Sequence, residues 1–148
     1  AGRPDSALAC WRGPPADGLA LDDAPAFKDW WAPERERLLE LRRRALAASA
    51  AAHEARGDRA AALQRIDSLL TDDPLQEQHH RDAMRLLAAI GRREAALAQF
   101  ERCTALLRSE LGLAPMAETV ALAATVRRAD AASAPLPPAP PVPVGFTA

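Results

Sequence analysis

The sequence predicts an all-α protein built of antiparallel helical hairpins, and three observations carry that expectation. Alanine and leucine supply 36 and 20 of the 148 residues, and both are strong helix formers. Apolar residues recur at spacings of 3 and 4 through most of the chain, which is the period of one helix face. Strand formers are scarce: tyrosine is absent, Phe numbers 3, and few residues are β-branched. A chain of 148 residues is long enough for one domain with its own core.

Composition excludes several classes. There are 19 basic and 20 acidic residues, for a net charge of −1. That balance argues against a domain held mainly by nucleic-acid phosphates or by an anionic membrane. Of the basic residues 18 are arginine, which reads as coding bias rather than Arg-specific recognition. No apolar run reaches the roughly 18 residues that a membrane span needs. Cys10 and Cys103 stand in unrelated contexts and form no CxxC pair, which fits a reducing, cytoplasmic setting. The opening Ala1-Gly2-Arg3-Pro4-Asp5 carries neither Met nor a signal-peptide pattern, as expected of a piece of a longer protein.

Residues 1–23 read as a loosely patterned segment packing on the bundle. Asp5 or Ser6 is expected to cap a short helix through Trp11, and Gly13-Pro14-Pro15 to stop it before a loop. Asp22 or Asp23 should cap the next helix, with Pro25 in its first turn. Pro33 should kink that helix or split it in two. Leu38, Leu41, Ala45, Ala48, Ala52 and Ala55 then form one stripe, with Arg42 and Arg43 largely off it, and Gly57 ends the helix. Asp58 caps the next one, whose apolar set is Ala62, Leu63, Ile66, Leu69 and Leu70. Asp73 is expected to cap a helix opening at Pro74, with the stripe Leu75, His79, Ala83, Leu86 and Ile90, ended by Gly91. The following helix carries Ala96, Leu97, Phe100, Cys103, Leu107 and Leu111 and stops at Gly112. A last helix spans about 116–131, with Val120, Ala123 and Val126 as its apolar face. Residues 132–148, with six prolines and no charge, read as an extended linker.

An internal echo organises these helices. Gly57 and Gly91 are 34 residues apart, as are Arg59 and Arg93, Ala61 and Ala95, Ala62 and Ala96, and Leu63 and Leu97. Ile66 and Phe100 keep the same register. This resembles the tetratricopeptide repeat, a helix–turn–helix hairpin whose copies stack into a right-handed superhelix. Small Ala62 and Ala96 allow close helix approach, and Pro74 falls where such a repeat closes. Leu46, Ala50 and His53, and their counterparts His80, Met84 and Leu87, depart from the repeat's usual Trp, Gly and Tyr.

The segments Asp22 to Leu38 (DDAPAFKDWWAPERERL), Asp72 to Glu77 (DDPLQE), Gly91 to Cys103 (GRREAALAQFERC) and Leu106 to Pro115 (LLRSELGLAP) together resemble the bacterial transcriptional activator domain of SARP-type regulators. The resemblance covers about residues 6–130, with the domain proper at 24–131. It implies a helical module that supports activation through self-association, contact with RNA polymerase, or contact with adjacent domains of the parent chain. It also implies that promoter DNA is read by a winged helix outside these residues. No motif in the sequence calls for a cofactor. The proline-rich end resembles the linker into a STAND-type ATPase in larger members.

Carried over from the repeat, the concave face holds Arg44, Ala47, Ala51 and Glu54 from one copy and Gln78, Arg81, Arg85 and Ala88 from the other. Arg44, Arg81 and Arg85 could grip an acidic partner segment, with Glu54 and Gln78 beside them. The alternative is a solvated face with weak ion pairs. The cluster Arg42-Arg43-Arg44 is interleaved with Glu40 at helical spacing, which favours local pairing over DNA contact. Adjacent His79 and His80 point about 100° apart on a helix, so a packed His80 is expected rather than a metal ligand. Trp11, Phe27, Trp30 and Trp31 are expected to staple the N-terminal segment onto the bundle, with one of the adjacent pair Trp30 and Trp31 left to line an interface. No P-loop, GxGxxG, GxSxG or HExxH motif is present, so no enzymatic role is expected. Two functions remain from these residues: an interaction module of an activator, or a sensor whose groove takes a small molecule or peptide and regulates attached domains.

Overall fold

The computed structural model describes residues 4–15 and 25–133, and six helices account for nearly all of them. They are α1 (Pro4–Ala9), α2 (Pro25–Ala55), α3 (Arg59–Asp72), α4 (Glu77–Ala89), α5 (Arg93–Leu111) and α6 (Ala117–Ser133). No strand occurs among the described residues. Connections of three to five residues join α2 through α6, so each helix runs antiparallel to the one before it. α2 pairs with α3 and α4 with α5; α3 packs on α4, and α6 packs on both α5 and α4. No helix among the described residues is long and apolar enough to cross a membrane.

The repeat is visible in the backbone bonds themselves. At the end of α2, Gly57 takes φ 79° and donates to Glu54 O at 2.9 Å, while Asp58 N–H reaches back to His53 O at 2.9 Å. At the end of α4, Gly91 takes φ 82° and donates to Ala88 O at 3.0 Å, and Arg92 N–H reaches Leu87 O at 2.8 Å. These are two copies of one Schellman closure, which requires a left-handed residue after the helix. The next helix opens in the same register, Ala62 N–H on Asp58 O and Ala96 N–H on Arg92 O. Asp58 caps α3 by accepting from Ala61 N–H at 3.1 Å.

The core runs through all the paired helices. Leu46 and Ala50 come from α2, and Ala62, Leu63, Ile66, Leu69 and Leu70 from α3. Ala83, Met84, Leu86 and Leu87 come from α4, Ala96 from α5, and Ala123 and Val126 from α6. Each fully buried large side chain among them contributes about 1.5–3 kcal/mol. Of the six repeat positions, Leu46, Ala50, His80, Met84 and Leu87 are buried and fill the interior, while His53 is half-buried.

Several expectations need correction. Pro33 does not split α2; one element runs from Pro25 to Ala55, with a ladder bond missing at the ring nitrogen. The stripe through Leu38, Leu41 and Ala45 is not the core face. It receives α1 through Ala7, Leu8 and Trp11, while Leu46, Ser49 and Ala50 are the residues buried inside. Asp5 is no cap: it lies in the first turn of α1, which ends at Ala9 rather than Trp11. α4 opens at Glu77, not Pro74, because Pro74 and Leu75 form a turn in which Asp73 Oδ1 accepts Leu75 N–H at 3.3 Å. Its buried face is correspondingly His80, Ala83, Met84, Leu86 and Leu87, with Ile90 at the helix end and exposed. Leu111 and Val120 are about half exposed instead of buried. α6 continues to Ser133. Phe27, Trp30 and Trp31 cluster along α2 with ring centroids 5.6–6.1 Å apart, Phe27 and Trp31 stacked and the other two pairs tilted, and Trp30 is 61 % exposed. None of the three belongs to the buried core or packs against it. The expected caps Asp22 and Asp23, the loop at 16–21 and the proline-rich stretch 134–148 lie outside the described residues.

α1 is held by a polar seam as well as by Leu8. Ser49, fully buried, donates to the Asp5 carboxylate, and Arg65 Nε donates to Ser49 Oγ at 3.1 Å. His53 lies between two carboxylates, 3.6 Å from Asp5 and 3.3 Å from Asp58. The Ser49 hydrogen bond holds the Asp5 carboxyl below its usual range. On the neighbouring face Arg42 pairs with Asp72 and lies over the Trp11 ring, 5.2 Å from its centroid. Arg42 thus ties the segment just after α1 to α2 and α3, a role its place beside the α2 stripe does not reveal.

Candidate protein-interaction groove

α2 and α4 are the first helices of the two hairpins, and a groove lies between them over α3. One part, about 320 Å³, is lined by Ala47, Ala50, Ala51 and Glu54 of α2, Ile66 and Leu69 of α3, and Gln78, His79, Asp82, Arg85 and Leu86 of α4. The other, about 510 Å³, is lined by Glu40, Arg43, Arg44, Ala47, Leu69, Asp72, Asp73, Gln76 and His79. They share Ala47, Leu69 and His79, so the two form one channel. The alanines of α2 leave it open, Ile66, Leu69 and Leu86 give it an apolar floor, and charged side chains make its rim.

The rim charges are already paired. Glu54 accepts both terminal nitrogens of Arg85, Nη2 at 3.0 Å on Oε2 and Nη1 on Oε1. Asp82 lies 3.5 Å from Arg85 and accepts Gln78 Nε2 at 3.2 Å. The Arg85 hydrogen bond holds the Glu54 carboxyl below its usual range, and the same bond raises Arg85. Arg43 and Arg44 each donate to Glu40 at 3.1 Å, which is the local pairing the spacing implies. Those bonds keep the Glu40 carboxyl low, the one from Arg43 first.

The structure therefore brings together four of the five expected residues, Arg44, Glu54, Gln78 and Arg85, along with Ala47 and Ala51. Arg81 does not line the channel. It faces α6, donating to Thr119 Oγ1 at 3.0 Å and to Gln78 Oε1 at 2.8 Å, with Glu77 3.9 Å away. Ala88 packs against the core. The residues sequence reasoning missed on the rim are Asp72, Asp73, Gln76, His79 and Asp82. Asp82 could have been found, because Gln78 and Asp82 are four apart on one helix face.

Behind the groove, Glu77 forms a latch to α6. Its carboxylate accepts Met116 N–H at 3.0 and 3.2 Å and the Thr119 hydroxyl at 2.7 Å. An anion at the start of α6 satisfies amides that the helix leaves unpaired. His80, 1 % exposed, approaches Pro74 O through Nε2 at 2.8 Å and Gln99 Nε2 through Nδ1 at 2.7 Å. Only the Nε2–H tautomer satisfies both partners. Burial lowers its pKa. Cys103 is also buried, and burial pushes its thiol up to about 11, so it stays protonated and unreactive at neutral pH. No group of three His, Cys, Asp or Glu side chains among the described residues converges as a metal site would.

Stacked hairpins with an open, charge-rimmed channel define a helical-repeat scaffold. The family model of the bacterial transcriptional activator domain matches residues 1–127, and the chain belongs to that family. The family is one of transcription regulators rather than a class of enzymes. No curated protein and no solved structure matches the chain.

Proposed function

We propose that this domain is the protein–protein interaction module of a SARP-type transcriptional activator, supporting self-association or contact with RNA polymerase. On this reading, promoter DNA is contacted by a separate winged helix of the parent protein, and this domain takes no cofactor. The observation that carries the proposal is the channel between α2 and α4. Ala47 and Ala51 keep it open along one wall, and its apolar floor can bury side chains of a partner segment. Because Arg44 and Arg85 already hold Glu40 and Glu54, a partner acid would have to exchange with those carboxylates. Shape and the apolar floor therefore carry more of the recognition than free positive charge.

The test is to fill the channel. Ala47 and Ala51 are exposed, so Ala51→Trp and Ala47→Trp should leave helix content and melting temperature near wild type. In the full activator, each should lower reporter activation about tenfold or more, the scale of a lost interface anchor. Full activation by a folded Ala51→Trp protein would count against the channel as the partner surface.

A further inference from the structure

α1 lies against α2 with a space left between them. A cavity of about 170 Å³ is lined by Leu8 of α1, by Trp11 just after it, and by Leu38, Leu41, Arg42 and Ala45 of α2. Close-packed proteins hold few spaces larger than a water molecule. An apolar cavity of roughly 150 Å³ stays dry and takes a benzene, which sets the scale. Leu41 is half exposed, which leaves a way in. At about 100° per residue, the cavity residues of α2 lie on the side of that helix opposite Ala47, Ala51 and Glu54, so the cavity is separate from the channel.

Arg42 distinguishes this space from loose packing. Its Nε is buried and, among the described residues, has no hydrogen-bond partner. An orphaned buried donor is costly and rare. The rest of the guanidinium is engaged, paired with Asp72 and lying over the Trp11 ring. Asp72 already balances the charge, so what Arg42 lacks is an acceptor rather than an anion. The side chains around the cavity offer donors, on Arg42 and Trp11, and no acceptor. A water there could accept but would find no side chain to donate to, whereas a buried water needs about 2–4 polar partners.

We infer that this cavity binds a small neutral carbonyl compound, its apolar body among Leu8, Leu38 and Ala45 and its oxygen accepting from Arg42 Nε. Apolar walls with one placed polar group are the usual make-up of a small-molecule site. A carboxylate fits less well, because the Asp72 carboxylate stands on the same guanidinium and like charges repel. The ligand bridges α1 and α2. No residue of α1 is itself buried, so occupancy adds contact where that helix has least. The inference does not depend on what the channel between α2 and α4 binds.

The experiment titrates the whole chain with two probes and follows the Leu8 and Ala45 amides and the Trp11 indole by NMR. The probes are acetophenone and α-methylstyrene, which carries a methylene where the ketone has its oxygen. Acetophenone at millimolar concentration should shift all three signals and raise the exchange protection of α1 amides. Arg42→Lys keeps a charge for Asp72 and removes the Nε donor. It should weaken acetophenone about tenfold and leave α-methylstyrene within about twofold. Ala45→Leu fills the space and should abolish binding of both probes, with circular dichroism showing helix content unchanged. Millimolar acetophenone that leaves the three signals in place overturns the inference, as does acetophenone that moves only channel residues such as Ala51. So does an Arg42→Lys chain in which both probes change alike, since the donor would then play no part. A folded Ala45→Leu chain that binds as wild type places the ligand elsewhere and overturns it too.

Discussion

His80 accepts at Nδ1 from Gln99 and donates from Nε2 to Pro74 O, and both bonds are met only by the neutral ring. Burial holds the folded pKa below the ordinary 6.5, against the Pro74 hydrogen bond, which raises it. Below pH 6.5 the unfolded chain takes up a proton that the folded chain refuses, so this stabilisation is complete above 6.5 and is lost as pH falls through the folded value. The carboxylates held low, Asp5, Glu40 and Glu54, act further into acid, below their ordinary 3.8 to 4.5. A melting temperature that falls between neutral pH and about pH 5, with a flatter fall in His80→Gln, is the expected result. Equal slopes in the two proteins would show that another group carries the dependence. At this scale the sequence reveals which residues are chemically equipped and conceals whom they meet. His80 is legible as a packed ring because its neighbour must face elsewhere. Arg81 is legible as a cation on α4, yet its turn toward Thr119 depends on where α6 lands, 38 residues on.

Turns are the elements most fully written in the chain. Gly57 and Gly91 hold left-handed backbone, and a Cβ placed on either meets nothing within 4 Å. A substitution there is opposed by backbone conformation alone. Gly57→Ala and Gly91→Ala should each cost about 1–2 kcal/mol, and asparagine less, read as a lower urea midpoint at constant m-value. A cost near zero would show that the closure adopts another conformation without the glycine. α3 is equally legible: its five expected apolar residues are the five buried ones, because leucine and isoleucine stand out against its polar face. α2 is the opposite case. Between residues 45 and 55 it holds seven alanines, so periodicity offers no contrast, and the stripe with the most leucines faces α1. The start of α4 was obscured for a different reason. Asp-Pro reads as a cap followed by a first turn, but here the same pair serves the end of α3, Asp73 N–H closing on Leu69 O at 2.8 Å.

Across the whole molecule, the hairpins adhere by burial, and the last helix is also tied by one carboxylate. Glu77→Ala leaves the Thr119 hydroxyl without an acceptor in a buried place and the Met116 amide without its side-chain acceptor in a partly buried one. The expected cost is about 1–3 kcal/mol, and exchange protection should fall first in α6 while α2 and α3 keep theirs. Uniform loss along the chain would mean that α6 unfolds only with everything else. The hairpin architecture was readable in outline because its period is printed twice in the sequence. The terminal helix was readable too, with Ala123 and Val126 buried as expected; what escaped reading was its docking through Glu77 onto Met116 and Thr119, contacts that no second copy of the pattern repeats. The twin glycine closures carry one more consequence. Since the bonds at 53, 54, 57 and 58 return at 87, 88, 91 and 92, the backbone has a natural unit of growth. A chain lengthened or shortened by one such unit would meet the same joints in the same order. Its length can thus change in whole modules without any new corner having to be invented, and a change of any other size would throw the joints out of step.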